Sequence, residues 1–291
     1  MNLKIGRSVG LVSAVLLAAQ MVSAAVFTGT GTGGIPDSTF GGPVQYSSSR
    51  VVSFNVSGLS SAIQSVSLSI TMQHPYLGDL DVRLVSPNGT NFIIFSNCEG
   101  PPGGPEGYGC GLDLNGTYQF SDAATNTLRN VSDQMAATFL LGYGSGLDYT
   151  NVIPAGLFLP STPGPFADAP RSFATNSGLV GLTPPQANGT WTLTFRDGSG
   201  GGAGSVSAAA LTIITTTTLF FSAPVITNGN LKISLAGPSN QSFRLWRSTN
   251  IALPFPAAWE SFSTNSFDGS GNASFTTDKA LPQRFYRASV P

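Results

Sequence analysis

Beyond residue 25, apolar side chains recur at every second position in many short segments, the pattern of strands that show one face to a core and the other to solvent. Val52, Phe54 and Val56 form the first run. Val66, Leu68, Ile70 and Met72 form the clearest, with Ser65, Ser67, Ser69 and Thr71 on the opposite face. Leu80, Val82 and Leu84 follow, then Phe92 and Ile94, and later Trp191, Leu193 and Phe195 interleaved with Thr190, Thr192, Thr194 and Arg196. Each run stops at turn chemistry: Pro75, Ser86-Pro87-Asn88-Gly89, Asn188-Gly189, or the glycine-rich stretch after Asp197. A helical period with caps is found nowhere. Residues 123–141 come nearest to one, and their Thr, Asn and Ser content predicts a loop with a short strand or turn. The chain is therefore predicted to be all-β, with two sheets burying their apolar faces against each other in a sandwich. On that scaffold residues 98–111 and 143–185 are expected to be surface loops. Thr215 to Thr218 show no packing pattern and suggest a domain junction. After them come shorter runs, Leu231, Ile233 and Leu235, then Phe243 and Leu245, Phe262, Ala273 and Phe275, and Phe285 with Tyr286, expected to form a small β-rich C-terminal module.

Composition agrees with this class. Only 9% of the 291 residues are charged, and Gly 35 and Pro 20 supply the punctuation, so a helical bundle is excluded. Past the N-terminus no apolar run reaches the roughly 18 residues that a membrane-crossing helix needs. The formal net charge of −1 and the scattered basic residues leave no electrostatic footprint for nucleic acid. Lys4 and Arg7, an apolar stretch from Val9 to Ala19, and small residues up to Ala25 read as a secretory signal peptide, predicted over residues 1–25. Its removal would leave 11 Lys and Arg against 14 Asp and Glu. The organisation expected is thus a signal at 1–25, a sandwich at 26–217 and the small module at 218–291. Export to the cell surface, the periplasm or the medium favours a disulfide between Cys98 and Cys110, which are separated by a Gly- and Pro-rich loop that holds neither helix nor strand. Two thiols without histidine neighbours make a poor zinc site.

Residues 65–90 carry His74, then Gly78-Asp79-Leu80, then a strand ending in Ser86-Pro87-Asn88-Gly89-Thr90. This arrangement resembles the P domain (P/Homo B domain) that follows the subtilisin-like catalytic domain of proprotein convertases and kexins. Ile35-Pro36-Asp37, Phe120-Ser121-Asp122-Ala123, and Asn188-Gly189-Thr190-Trp191 with Arg196-Asp197 occur in the order the family shows. The resemblance covers about residues 27 to 216 and implies a jelly-roll β-sandwich. The C-terminal segment, from Arg247-Ser248-Thr249-Asn250 to the closing Arg284-Phe285-Tyr286-Arg287, is similar to short β-rich modules that end exported proteins of environmental bacteria.

In its family a P domain stabilises and tunes a neighbouring protease. A serine protease needs a nucleophile activated by a histidine that an acid holds in place. Here the single histidine, His74, lies inside the P-domain motif and no Gly-x-Ser-x-Gly elbow occurs, so no catalytic role is expected. The expected structural role of His74 is an imidazole bonded to backbone at a sheet corner. Gly78 and Asp79 would serve a turn. Asp37, Asp79 and Asp122 occupy motif positions where the resemblance implies a possible structural calcium ion, a hard cation that takes six to eight oxygens. Their alternative is turn chemistry, as for Asp197. Tyr108, Tyr143, Tyr149 and Trp259 could stack on sugars of an extracellular polysaccharide, or anchor loops and core. The function expected is a secreted, non-catalytic binding or structural protein. Its competing form is a module that stabilises or targets a separate subtilisin-like serine endopeptidase.

Overall fold

The computed structural model describes residues 19–39, 46–96, 112–132, 134–135, 152–162, 169–228, 230–278 and 285–289. Cys98, Cys110, Tyr108, Tyr143, Tyr149 and most of the signal segment lie outside the described residues. The chain divides into two compact units, one of Ser23–Thr215 and one of Met1–Val22 with Thr216–Pro291. Both units are all-β.

The strands that lie wholly or mainly in the first unit are β1 (Ala19–Thr28), β2 (Gly33–Ile35), β3 (Arg50–Val56), β4 (Ile63–His74), β5 (Leu80–Val85), β6 (Asn91–Ser96) and β7 (Asp113–Phe120). They continue with β8 (Val152–Ile153), β9 (Gly156–Phe158), β10 (Ser161–Thr162), β11 (Ala169–Pro170), β12 (Gly189–Asp197) and β13 (Gly204–Phe221). One sheet has the order β3-β12-β5-β6, antiparallel throughout. In the other, β4 lies between β13 and β7, with β1 and β2 also on β13. The chain changes sheet between β3 and β4, β4 and β5, β6 and β7, and β12 and β13, which is jelly-roll wrapping. The β5–β6 hairpin stays within one sheet and turns through Gly89, whose φ of 87° suits glycine.

Alternation places the core where the sequence predicts it. Val52, Phe54, Val66, Leu68, Ile70, Val82, Leu84, Phe92, Trp191, Leu193 and Phe195 are all buried in one cluster. Each fully buried large side chain stabilises by about 1.5–3 kcal/mol relative to exposure. Trp191 also donates its indole N–H to the Ala187 carbonyl at 2.8 Å, so no polar atom of the ring goes unsatisfied.

Two segments depart from expectation. Residues 128–132 and 134–135 are helical rather than loop or strand. The Thr127 hydroxyl accepts the Asn130 N–H at 3.1 Å, while Leu128 is buried and Val131 packs on the core. The stretch 143–185, expected to be a surface loop, is core-building where it is described. Ile153, Phe158, Phe173, Leu179 and Leu182 are buried, and β8 and β9 pair in parallel with β7. Tyr118 fastens that edge. Its hydroxyl donates to the Ile153 carbonyl and accepts the Asn115 N–H, both at 2.9 Å. Burial pushes its phenol pKa up, against the lowering effect of the Asn115 N–H. Thr215 and Thr216, which show no pattern in sequence, lie inside the continuous strand β13, because β-branched threonine suits a pleated backbone on either face.

The second unit holds β14 (Val225–Thr227), β15 (Asn230–Ala236), β16 (Ser242–Ser248), β17 (Glu260–Ser266), β18 (Asn272–Asp278) and β19 (Phe285–Ser289). β15 pairs with β14 and β18, and β16 lies between β17 and β19. Leu219, Leu235, Phe243, Leu245, Phe267 and Ala288 form its core, with Phe262, Ala273 and Phe275 packed against it.

Tyr118→Phe takes the hydroxyl away from the Asn115 N–H and from the buried Ile153 carbonyl and should cost about 1–2 kcal/mol. The urea unfolding midpoint measures it, with the slope unchanged.

Candidate functional site

Four of the motif residues, Asp37, His74, Asp79 and Asp197, meet at one corner of the sandwich. His74 is the last residue of β4, and the chain then turns through Pro75 and Tyr76 into a 3-10 turn at Leu77–Asp79 before entering β5. Asp197 is the last residue of β12. The two side chains are fully buried, with His74 Nε2 3.2 Å from Asp197 Oδ2. His74 Nδ1 lies 2.8 Å from the Tyr76 carbonyl oxygen, and the Tyr76 N–H reaches the same nitrogen at 3.2 Å. Both ring nitrogens are thus engaged inside the protein. Asp197 Oδ1 accepts the Ser199 N–H at 3.1 Å, its backbone N–H donates to the Ser47 hydroxyl at 3.3 Å, and its carbonyl accepts from Ser47 N–H at 2.8 Å.

Asp79 completes the corner. Its carbonyl accepts the Gly198 N–H at 2.8 Å, which ties the 3-10 turn to the glycine-rich loop. Its carboxyl is pushed up to about 6, first by loss of water, then by the negative charges of Asp197 and Asp37, partly offset by His74. Asp37 lies at the exposed rim, where its two oxygens accept the Gly201 N–H at 3.3 Å. Two glycines of the loop, Gly202 and Gly204, serve close approach. A Cβ on Gly204 would stand 2.3 Å from His74 Cδ2 and 2.7 Å from the Gln73 carbonyl oxygen, and one on Gly202 would stand 2.6 Å from Pro75 Cγ.

Beside this corner, Asp81 on β5 is buried and receives Arg83 Nε at 3.0 and 2.9 Å and Arg196 Nε at 3.0 Å, with a further contact from Arg196 Nη2. Arg196 is directly opposite Asp81 in the β12–β5 register and stacks on Tyr46, 4.0 Å from the ring centroid. Removing one partner of such a buried pair costs more than the pair contributes, because a charge stays behind unpaired.

The structure brings Asp37 and Asp79 to the same corner and sets Asp122 to other work. Both Asp122 oxygens accept backbone N–H groups, from Phe173 at 2.7 Å and Ala174 at 2.8 Å, at the start of the short helix Phe173–Asn176. Among the described residues no group of three or more His, Cys, Asp or Glu side chains is placed to hold a metal ion. Asn188, another motif residue, clasps Leu59 by accepting its N–H and donating to its carbonyl, both at 3.0 Å. Trp259, one of the aromatics weighed for sugar stacking, is buried and donates its indole N–H to the Leu253 carbonyl at 3.0 Å, so it anchors a loop. The partnership of Asp197 with His74, 123 residues apart, has no local signature; Asp197 reads in sequence as turn chemistry only.

Residues 63–101 match the family model of the proprotein convertase P-domain. The matched segment runs from β4 through His74 and Asp79 to five residues past the end of β6, so it carries one half of the polar corner, while Asp197 and the glycine loop lie outside it. No curated protein matches the chain. Among solved structures, the serine protease of Aeromonas sobria is similar at 15% identity over 68% of this chain and 27% of that chain, with a TM-score of 0.30. The complex of that protease with the chaperone ORF2 gives a TM-score of 0.31 at 15% identity and the same coverage. A β-1,2-glucanase from Parabacteroides distasonis gives 0.20 at 12% identity, over 84% of this chain and 31% of that chain. The chain therefore spans about a quarter of the length of the protease chains, and likeness at these scores does not define a shared overall fold. Among the described residues no helix is long and apolar enough to cross a membrane.

Two outcomes test the corner. In the folded chain Asp79 binds its proton at about 6, whereas the unfolded carboxyl stays near 3.8, so between these values the folded state holds more protons. Its contribution to stability is therefore full below the lower value and lost as pH rises through the upper one. Asp79→Asn should remove this slope and gain on the parent protein by on the order of 2 kcal/mol across the window. Urea midpoints taken on either side of the window would show it. Gly204→Ala, which drives a methyl group into the His74 ring and the Gln73 carbonyl, should lose about 1–3 kcal/mol by the same measurement.

Proposed function

We propose that the protein is an exported, non-catalytic module whose sandwich binds and steadies a partner protein. The observation that carries this reading is the state of His74. It is the chain's single histidine, its side chain has no exposure, and both nitrogens are engaged by Tyr76 and Asp197. A general base must reach the proton it takes from a substrate, and this imidazole faces only protein. His74 and Asp197 together look like two members of a catalytic triad, yet their contacts turn inward and clamp β4, β12 and the glycine loop.

The P-domain match favours a particular partner, a subtilisin-like serine endopeptidase, which this chain would stabilise or target as a separate polypeptide. A P domain performs that service for the catalytic domain it follows. Export rests on the signal-like residues 1–25 and places the module at the cell surface, in the periplasm or in the medium, beside such proteases.

The experiment has two arms. Purified full chain is incubated with fluorogenic basic peptides, and separately with a subtilisin-like catalytic domain that lacks a P domain of its own. The expected results are no peptide release by the chain alone and a longer autolytic half-life of the protease in its presence. Peptide release that survives further purification and disappears in a His74→Gln variant with an unchanged melting transition would overturn the non-catalytic reading. A protease half-life unaffected by the chain would remove the endopeptidase as partner.

A further inference from the structure

The second unit differs in charge from the rest of the chain. Residues 216–291 carry six Lys and Arg against three Asp and Glu, whereas residues 26–215 carry five against eleven. Charge of one sign gathered in one module points to a partner of the other sign.

Two of the basic groups share one face of the three-stranded sheet β17-β16-β19 with aromatic rings. Arg244 and Trp246 are two residues apart on β16 and therefore project to the same side, and Trp246 is directly opposite Arg287 of β19. The Arg244 guanidinium lies over the Trp246 ring, 5.5 Å from its centroid. Trp246 meets Phe255 edge to face at 5.5 Å, and the Arg287 guanidinium lies 4.2 Å over Phe255. The Trp246 indole N–H donates to the Ser289 hydroxyl at 2.8 Å, which fixes the plane of the ring. Arg247, by contrast, spends its guanidinium on Glu260. Among the described residues neither Arg244 nor Arg287 meets a carboxylate.

We propose that this face is a binding surface for an anionic polysaccharide, one whose sugars carry carboxylate or sulfate groups. Stacked guanidinium groups are held in orientation by the rings beneath them and offer a fork of N–H donors that matches such an anion in two-point fashion. Trp246 and Phe255 offer apolar surface to the C–H faces of the sugars between the anions. An acidic peptide fits less well, because it would need unpaired strand-edge groups for its backbone, and these side chains lie on the face of the sheet with Trp246 on its central strand. The inference is independent of how the sandwich is used, since all the residues belong to the second unit.

The test uses the full chain with polygalacturonate, dextran and poly-L-glutamate as probes, followed by tryptophan emission and titration calorimetry. Trp191 is buried in the other unit and Trp259 is buried against Phe255, so the Trp246→Phe variant is what assigns a change in emission to Trp246. Polygalacturonate is expected to bind and to shift the emission, with affinity falling as salt rises. Arg244→Ala with Arg287→Ala should weaken binding at least about tenfold, the scale of one lost charge-assisted pair. Lys232→Ala, an exposed cation on β15, should leave it unchanged. Melting curves of each variant separate lost binding from lost folding, and Trp246→Phe should keep binding while abolishing the emission change. Three results would each overturn the proposal: no binding of polygalacturonate, equal binding of dextran, or equal binding of poly-L-glutamate with the same sensitivity to the two arginines.

Discussion

Burying a histidine beside an aspartate is costly unless each group finds its partners inside the protein, and the sandwich is arranged around meeting that condition at one corner. His74 ends one sheet's strand, Asp197 ends the other sheet's strand, and the pair holds the two sheets together at a point where both strands leave the core. The turn through Tyr76 and Asp79 and the loop through Ser199, Gly201 and Gly204 supply the remaining hydrogen bonds and the space. His74, Asp79 and Asp197, three residues of the motif, thus fasten the fold at this corner. Asn188 on Leu59, Asp122 on Phe173 and Ala174, and Asp81 under two arginines repeat the logic elsewhere in the sandwich: side-chain groups are spent on distant backbone or on each other.

That economy bears on function. A site that turns its titratable groups inward gains stability and gives up reach toward an outside substrate. The corner has the parts of an acid-base pair and the exposure of a core. Asp79 is the member whose charged form the corner disfavours. It lies among other carboxylates in a place with little water, which raises its proton affinity and makes the folded state less stable as the medium becomes less acidic. The second unit follows the opposite rule. Its inner aromatics, Phe243, Phe262, Phe267 and Phe275, make a small core, and it leaves two cations on its face with rings for support and, among the described residues, no acid against them.

Local pattern carried much of this into view. The alternation Val66, Leu68, Ile70, Met72 against Ser65, Ser67, Ser69, Thr71 identifies β4 because a half-buried strand has period two, and the same rule finds β3, β5, β6 and β12. It fails where one face is not distinguished by polarity. Thr215 and Thr216 show no contrast and yet continue β13, and the short pieces β8 and β9 lack the length to establish a period, although Ile153 and Phe158 are core residues. The helical turns at 128–132 were hidden by polar residues that serve as its cap and outer face. Trp259 could equally be a ligand platform or an anchor until its indole N–H found the Leu253 carbonyl.

By itself the sequence determined the class of structure, the strands with clear alternation and the family-like motif around His74, because each of these is written in neighbouring residues and in turn chemistry. Only the tertiary structure decided who faces whom. His74 meets Asp197 across 123 positions, Arg196 meets Asp81 across 115, and Arg287 comes opposite Trp246, all through strand register. Register depends on how whole sheets bury their apolar faces together, and no local stretch of chain records it.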